Sequence, residues 1–410
     1  MHATGWEIGD SLPHFPLGDS LLIDAIALGE RSQALLMGWT VPASAPSGKV
    51  CQYGNSRTTV KESPMGKIAA DLNTITTVGF DLAKHVFQVH AIDAEGRVVI
   101  TKAIRRKDVL KFFADLPRCV VGLEACGSAH HWARELIRLG HDARLMPPAY
   151  VKAYVRRQKN DAADAAAICE AVTRPSMRFV PVRSVENQAT LMHHKVRELL
   201  VGQRTQLLNA LRGHLSEIGI IVAQGLNNAR ALASLIIEEN DIVPAIVRSA
   251  LEPLVRQLVQ LDEEIGQSDR AILAIARSDG MARRLMTVPG IGPITASAFA
   301  ASVQDVSAFS GPREFAAFLG LTPRQASSGG KERLGRVSKM GNRYLRKLLV
   351  VGAHAVLYHR RSSTDALRTW ADRLLDTKPF KLVAVAIANK LARIAFAIMR
   401  GEASYGKMPA

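Results

Sequence analysis

The chain has 410 residues, enough for two or three domains that each bury a core of their own. Its 53 Lys and Arg residues outnumber 37 Asp and Glu, and the resulting net charge of +16 favours a polyanionic partner through phosphate neutralisation and counterion release. Cys51, Cys119, Cys126 and Cys169 show no CxxC pairing, which argues against structural zinc and for a reducing compartment.

Residues 1–64 are rich in Gly, Ser and Pro and offer one short helix, around Ser20 to Trp39. They lack the basic start and small-residue cleavage site of a signal peptide, and the expectation is a poorly ordered, dispensable extension ahead of Met65. From Ile75 the pattern changes. TITTVGFDLA, VFQVHAID and RVVITKAI are β-branched runs, the latter two separated by the turn-like Ala94-Glu95-Gly96. A helix over Lys107 to Leu116, the strand CVVGLE, a helix over Ala129 to Leu139 and the short strand ARLM follow. Three strands in a meander, then alternating helices and strands, fit an RNase H-like fold, although a flavodoxin-like sheet could produce the later half.

Beyond Asp161 the chain reads as helical. Glu186 to Ile218 and Val243 to Ile275 carry apolar residues at three- and four-residue spacing, which predicts long antiparallel helices or a coiled coil bent at Gly219 to Asn228. After Gly280 comes a compact helical domain that ends in a basic amphipathic helix near Leu382 to Met399. That stretch carries Lys390 and Arg393, and Leu348 to Leu357 is too short to span a bilayer, so no membrane partner is expected and the protein reads as cytoplasmic. The fold class is α/β plus all-α. The expected divisions are an extension over 1–64, an RNase H-like domain over 65–180, a helical region over 181–279 and a C-terminal helical domain over 280–402.

Four carboxylates carry the chemistry. Asp81 ends the first strand, Glu124 ends the fourth, and Asp161 and Asp164 open a helix three residues apart, on one face. Acids at the ends of neighbouring strands can converge, and four oxygen ligands suit hard Mg2+. Taken singly, Asp161 reads as a helix cap and Asp81 as a turn residue. Taken together, with Gly79, Gly122 and Gly127 beside them, the converging set is the better reading. VPGIGPITASAFAA reads as a helix-hairpin-helix turn, in which Gly290 and Gly292 let the backbone approach a phosphate. Ser327-Ser328-Gly329-Gly330 precedes seven Lys and Arg residues between Lys331 and Lys347, among them Arg333, Arg336, Lys339 and Arg343. A Gly-flanked serine beside such charge is either a nucleophile or part of a phosphate-binding loop. The doublets His130-His131 and His193-His194 are expected on the surface.

The strings VGFDLAKHVFQVHAID, GLEACGSAHHWARELIRLGH and RRQKNDAADAAAICEA resemble the DEDD transposases of the insertion-sequence 110 family, specifically its 1111-like subgroup. FAAFLGLTPRQASSGGKERLGRVSKMGNRYLRKLLV resembles the C-terminal domain of the same family. The resemblance makes Asp81, Glu124, Asp161 and Asp164 the acidic quartet, with Lys84 and Lys159 beside it, holding Mg2+ for which Mn2+ can substitute. It places the family's catalytic serine at Ser328. It further implies an RNase H-like (RuvC-like) domain, a coiled-coil region that mediates a homo-oligomer (dimer or tetramer), and a C-terminal transposase domain. The activity it implies is that of a bridge-RNA-guided serine recombinase working through a phosphoserine intermediate. DNA and a non-coding bridge RNA are the implied partners. Because quartet and serine lie far apart in sequence, a composite site between domains is expected. The rival readings are a RuvC-like structure-specific nuclease using activated water, and an inactive nucleic-acid-binding protein.

Overall fold

A computed structural model describes residues 71–155, 160–225, 228–238, 241–359, 366–401 and 404–406. The N-terminal extension with its Ser20 to Trp39 helix, and Lys159, lie outside the described residues. The chain divides into two compact units, with the break between Val185 and Glu186.

In the first unit, β1 (Thr77–Asp81), β2 (Val86–Ile92) and β3 (Val98–Arg105) form the expected meander. After α1 (Val109–Ala114) come β4 (Val120–Glu124), α2 (Ala129–Arg138), β5 (Asp142–Met146), the short α3 (Pro148–Val151) and α4 (Asp161–Val172). The strand order is β3-β2-β1-β4-β5. β1 and β2 are antiparallel, whereas β4 runs parallel to β1 and β5 parallel to β4. The antiparallel meander excludes the all-parallel flavodoxin-like alternative, and this mixed sheet is consistent with an RNase H-like domain.

The period-2 pleat of β1 explains how the two faces are used. Val78 and Phe80 are buried on one face with Phe87, Val121 and Leu123, under α1 and α2. There Phe80 meets Phe87 and Phe113 edge to face, at ring separations of 5.4 and 5.1 Å. Gly79 and Asp81 fall on the other face. That face is covered by α4, whose Ala167, Ile168, Ala171 and Val172 pack with Met146 and Val151.

In the second unit, α5 (Val185–Glu217) is followed by α6 (Ala229–Ile237) and α7 (Ala245–Ser278). Arg197 of α5 pairs with Asp269 of α7, and Arg204 with Asp262 at 3.0 Å, so the two long helices run antiparallel. The sequence reading had no α6. Leu232 and Ile236 of α6 join Leu208, Leu211 and Leu215 of α5 and Val255 and Leu258 of α7 in one apolar cluster, so the distal part is a three-helix assembly.

The C-terminal region holds α8 (Gly280–Leu285), α9 (Pro293–Ser302), α10 (Pro312–Phe318), β6 (Pro323–Gln325), β7 (Leu334–Val337), α11 (Arg343–Tyr358), α12 (Ala366–Leu375) and α13 (Phe380–Arg400). The antiparallel β6–β7 hairpin corrects the expectation of a purely helical domain. α13 is long and apolar enough to cross a membrane, with mean hydropathy 1.8, yet 56% of that window is buried. Its Ile387, Leu391, Phe396 and Ile398 pack with Phe299, Phe315, Leu349 and Val356, so it is the core helix of this region. Lys381, Arg393 and Arg400 stay exposed, so the helix is amphipathic as read from the sequence, with a wide buried apolar face.

Candidate metal centre and nucleic-acid interface

The site begins with two glycines. Gly79 of β1 and Gly122 of β4 are register partners on neighbouring parallel strands. A Cβ at Gly79 would land on the carbonyl oxygen of Ala165 in α4, and one at Gly122 would lie 2.8 Å from Val172 Cβ. Two missing side chains thus form a floor on which α4 rests directly. Asp81 and Glu124 each follow a floor glycine by two residues, so the pleat puts them on the same face, at the C-terminal edge of the sheet. α4 starts above that edge.

Asp81, Asp161 and Asp164 place carboxylate oxygens within 4.8 Å of one another. Glu124, half-buried, is close enough for its charge to act on Asp81. Asp161 is not the helix cap. The cap is Asn160, whose Oδ1 accepts from the Ala163 N–H at 2.7 Å, leaving both aspartates in the first turn with their carboxylates available. Nor is Asp81 a turn residue, for it pairs in the ladder with Gln88. Lys84 is exposed in the β1–β2 turn and not on a helix.

Burial pushes the Asp81 carboxyl up from its ordinary 3.8 to about 6, and the charges of Asp164, Asp161 and Glu124 push the same way, against the Leu82 N–H that bonds it. An all-oxygen set of crowded carboxylates that resist being charged together is the donor chemistry a hard divalent cation fits. Between 3.8 and about 6 the folded protein holds the proton and the unfolded chain does not, so the cation-free fold loses stability as pH rises through that window. Added Mg2+ should therefore raise the melting temperature at pH 7.5, and the gain should shrink at pH 5.5, where the proton competes for Asp81. An equal gain at both values would show that Asp81 is not a ligand.

The floor makes its own prediction. Gly79→Ala forces α4 off the sheet, because the obstacle is main chain, and should cost about 1–3 kcal/mol in denaturant unfolding. A variant as stable as the parent would contradict the close approach.

Gly290 also has a packing role that the sequence did not show. Its φ of +83° makes the turn between α8 and α9, but its backbone is pressed against α11. A Cβ there would come within 2.7 Å of the Gly352 carbonyl oxygen, and one on Gly352 would meet the Gly290 carbonyl in return. Gly290 is therefore a helix-packing glycine. Gly292, the N-cap of α9, is exposed, with nothing within 4 Å of where a Cβ would stand.

Ser327 and Ser328 sit at the tip of the β6–β7 hairpin, and their environments differ. The Ser327 Oγ accepts from the Arg333 N–H and the Gln325 amide, both at 3.2 Å. Ser328 contributes its backbone carbonyl to the turn, accepting from the Lys331 N–H at 3.1 Å, while its exposed hydroxyl meets no partner among the described residues. Gly329 and Gly330 follow in left-handed conformation, at φ +56° and +75°. Lys331, Arg333, Arg336, Lys339 and Arg343 are all exposed on or beside this hairpin.

Each histidine doublet has one member inside, since adjacent helical positions face different ways. His131 and His193 are exposed, but His130 bonds the Arg183 N–H through Nδ1 at 3.2 Å, and burial pushes it down to about 4. His194 lies between the Tyr344 hydroxyl and Ser297 Oγ, each at 3.0 Å, and burial holds it near 4 as well. Both are neutral structural groups at pH 7. The expectation of surface residues holds for only half of each pair.

Two family models cover the segments that carry the acids and the hairpin. The family described as DEDD transposase of the IS110 type matches residues 78–220, and the Transposase IS116/IS110/IS902 family matches residues 282–368. A probable family 20 transposase of Pseudomonas aeruginosa is 48% identical over 336 residues, covering 81% of this chain and 98% of the relative. The transposase for insertion sequence element IS1111A of Coxiella burnetii is 39% identical over 336 residues, covering 82% and 92%. That for IS1328 of Yersinia enterocolitica is 38% identical over 324 residues, covering 79% and 96%. These relatives are named as transposases, and the family matched by this chain is not that of the serine recombinases, which corrects the designation expected from the sequence. The chain belongs to the IS116/IS110/IS902 family of DEDD transposases.

Proposed function

We propose that the protein cuts and exchanges DNA strands at an insertion sequence, using the acidic quartet as a divalent-metal site. The observation that carries this reading is the gathering of Asp81, Asp161 and Asp164 within 4.8 Å, with the Glu124 charge beside them. The family implies a divalent metal, and Mg2+, with Mn2+ able to substitute, is our assignment. When bound, it would stabilise charge on the attacking and departing oxygens. The four carboxylates hold it, and the packing of α4 on the glycine floor fixes their spacing.

The nucleophile in this reading is Ser328. Its Oγ bonds to a DNA phosphorus, the bond from that phosphorus to one deoxyribose oxygen breaks, and the hydroxyl proton ends on the departing oxygen. The resulting phosphoserine keeps the energy of the broken linkage for rejoining to a new strand. What supports the choice is an exposed hydroxyl without a partner among the described residues, the two glycines that follow it, and the exposed cations around it. Direct attack by water is the competing reading, and Ser328 would then be dispensable. Lys331, Arg333, Arg336, Lys339 and Arg343 are assigned to phosphate contacts, with Gly292 opening the α9 N-terminus to a further one.

Phosphate contacts position nucleic acid but carry little sequence information. The reading therefore gives the choice of site to a non-coding bridge RNA that pairs with donor and target DNA, as the resemblance of the sequence implied. A homo-oligomer working in the cytoplasm completes it. The test is recombination by purified, RNA-free protein, with and without the transcript flanking its gene. Activity only with the transcript, redirected when its pairing segments are changed, is the expected result. Site-specific recombination without RNA rejects the guide, and no metal-dependent cleavage of any DNA rejects the reading as a whole.

A further inference from the structure

The cationic hairpin carries an apolar residue that nothing in the fold uses. Leu334, the first residue of β7, is 65% exposed and takes no part in the neighbouring core. Around it in the chain stand Arg324, Lys331, Arg333, Arg336, Lys339 and Arg343, all exposed and none paired with a carboxylate among the described residues. Six free cations select a polyanion, and a leucine among them has no use for phosphate. Beyond the thymine methyls of the major groove, the extended apolar surface a nucleic-acid duplex offers is the interior of its base stack, which apolar side chains enter as wedges.

The hairpin is also stiff where the leucine leaves it. Immediately before Leu334, Arg333 is fastened to the opposite strand twice: its carbonyl accepts from the Ala326 N–H at 2.9 Å, and its N–H donates to Ser327 Oγ. At the base, Arg346 Nη1 donates to the carbonyls of Leu319 and Met340, each at 2.8 Å, tying together the segments that enter and leave the hairpin. Gly341, at φ +72°, lets those segments cross, since a Cβ there would fall on the Phe318 carbonyl oxygen. A side chain driven between stacked bases must not fold back, and this one is mounted on a braced strand.

We propose that Leu334 is a wedge that enters the base stack of duplex DNA held by the hairpin cations and parts one base step close to Ser328. Apolar side chains inserted in this way unstack a step and kink the duplex, and the cations grip the bent backbone. Opening the step turns the neighbouring phosphate out toward the hairpin tip, where the free hydroxyl stands. The inference rests on the proposed function only in assigning DNA to this hairpin; it does not require Ser328 to be the nucleophile.

The experiment uses the full chain and short duplexes tiled across both flanks of its own gene, each with 2-aminopurine at one base step, a probe that brightens when unstacked. Wild type and Ser328→Ala should raise the fluorescence at one step. Leu334→Ala should bind the same duplexes with affinity close to wild type and lose the rise, and Leu334→Phe should restore it. A rise that persists in Leu334→Ala, or its absence at every step with wild type bound, overturns the wedge alone. If Arg333→Ala with Arg336→Ala leaves duplex binding and its salt dependence unchanged, the wedge falls together with the assignment of DNA to the hairpin. A rise seen only with 2-aminopurine in the flanking RNA overturns it in favour of an RNA contact.

Discussion

Asp81→Ala should abolish strand cleavage while leaving DNA affinity almost unchanged. Asp81 is the most constrained acid of the four: half-buried, at the end of a central strand, and sharing a 4.8 Å cluster with Asp161 and Asp164. Loss of a partner that merely supports a ligand commonly costs 10- to 100-fold, so loss of the ligand should cost more than about 100-fold. DNA affinity depends on Lys and Arg contacts with phosphate and should survive. Glu124→Ala should behave alike, and a fully active Glu124→Ala variant would sink the metal-site assignment. Stability gives an independent reading. Asp81→Asn removes the charge that burial and three neighbouring carboxylates oppose, so in chelator at pH 7 it should melt higher than the parent. An acid kept at a cost to the fold is what a ligand set predicts, and a lower melting temperature would indicate that Asp81 is structural.

Ser328→Ala should eliminate every covalent protein–DNA adduct without altering folding or metal binding, because only a hydroxyl can form the phosphoester. Ser327→Ala should keep the adduct. The Ser327 hydroxyl already accepts from Arg333 and Gln325, and losing these bonds should loosen the tip by about 0.5–1.5 kcal/mol and slow the reaction without stopping it. The opposite pattern, with the adduct lost in Ser327→Ala and kept in Ser328→Ala, would move the assignment by one residue. An adduct that survives in the double variant would reject serine chemistry.

The sheet and its acids were legible because their causes are local. Alternating β-branched runs set β1 to β3, and two-residue periodicity put Asp81 and Glu124 at strand ends. The elements missed lack a local signal. β6 and β7 are three and four residues long, almost wholly exposed, and show no apolar alternation, so they read as a loop. α6 was hidden by the Gly-rich bend that precedes it. The turn at Gly290 is written in the sequence, whereas its contact with Gly352 lies 62 residues away along the chain and is written nowhere nearby. His130 and His194 were misjudged for the same reason: Arg183, Ser297 and Tyr344, which bury them, are remote in sequence.

The two floor glycines beneath α4 differ in how damage to them can be inherited and then repaired. A methyl group at Gly122 strikes side-chain atoms of Val172 and Ile168, whose methyl groups a second mutation can trim, although the nearest atom, Val172 Cβ, goes only with a change to glycine. A methyl group at Gly79 strikes the peptide carbonyl of Ala165, and every amino acid carries that atom. Copies of the element that lose Gly122 can therefore drift back to activity through compensation elsewhere in the helix. Those that lose Gly79 have no opposing side chain whose trimming removes the clash, and return by reversion or by stabilising changes elsewhere in the fold.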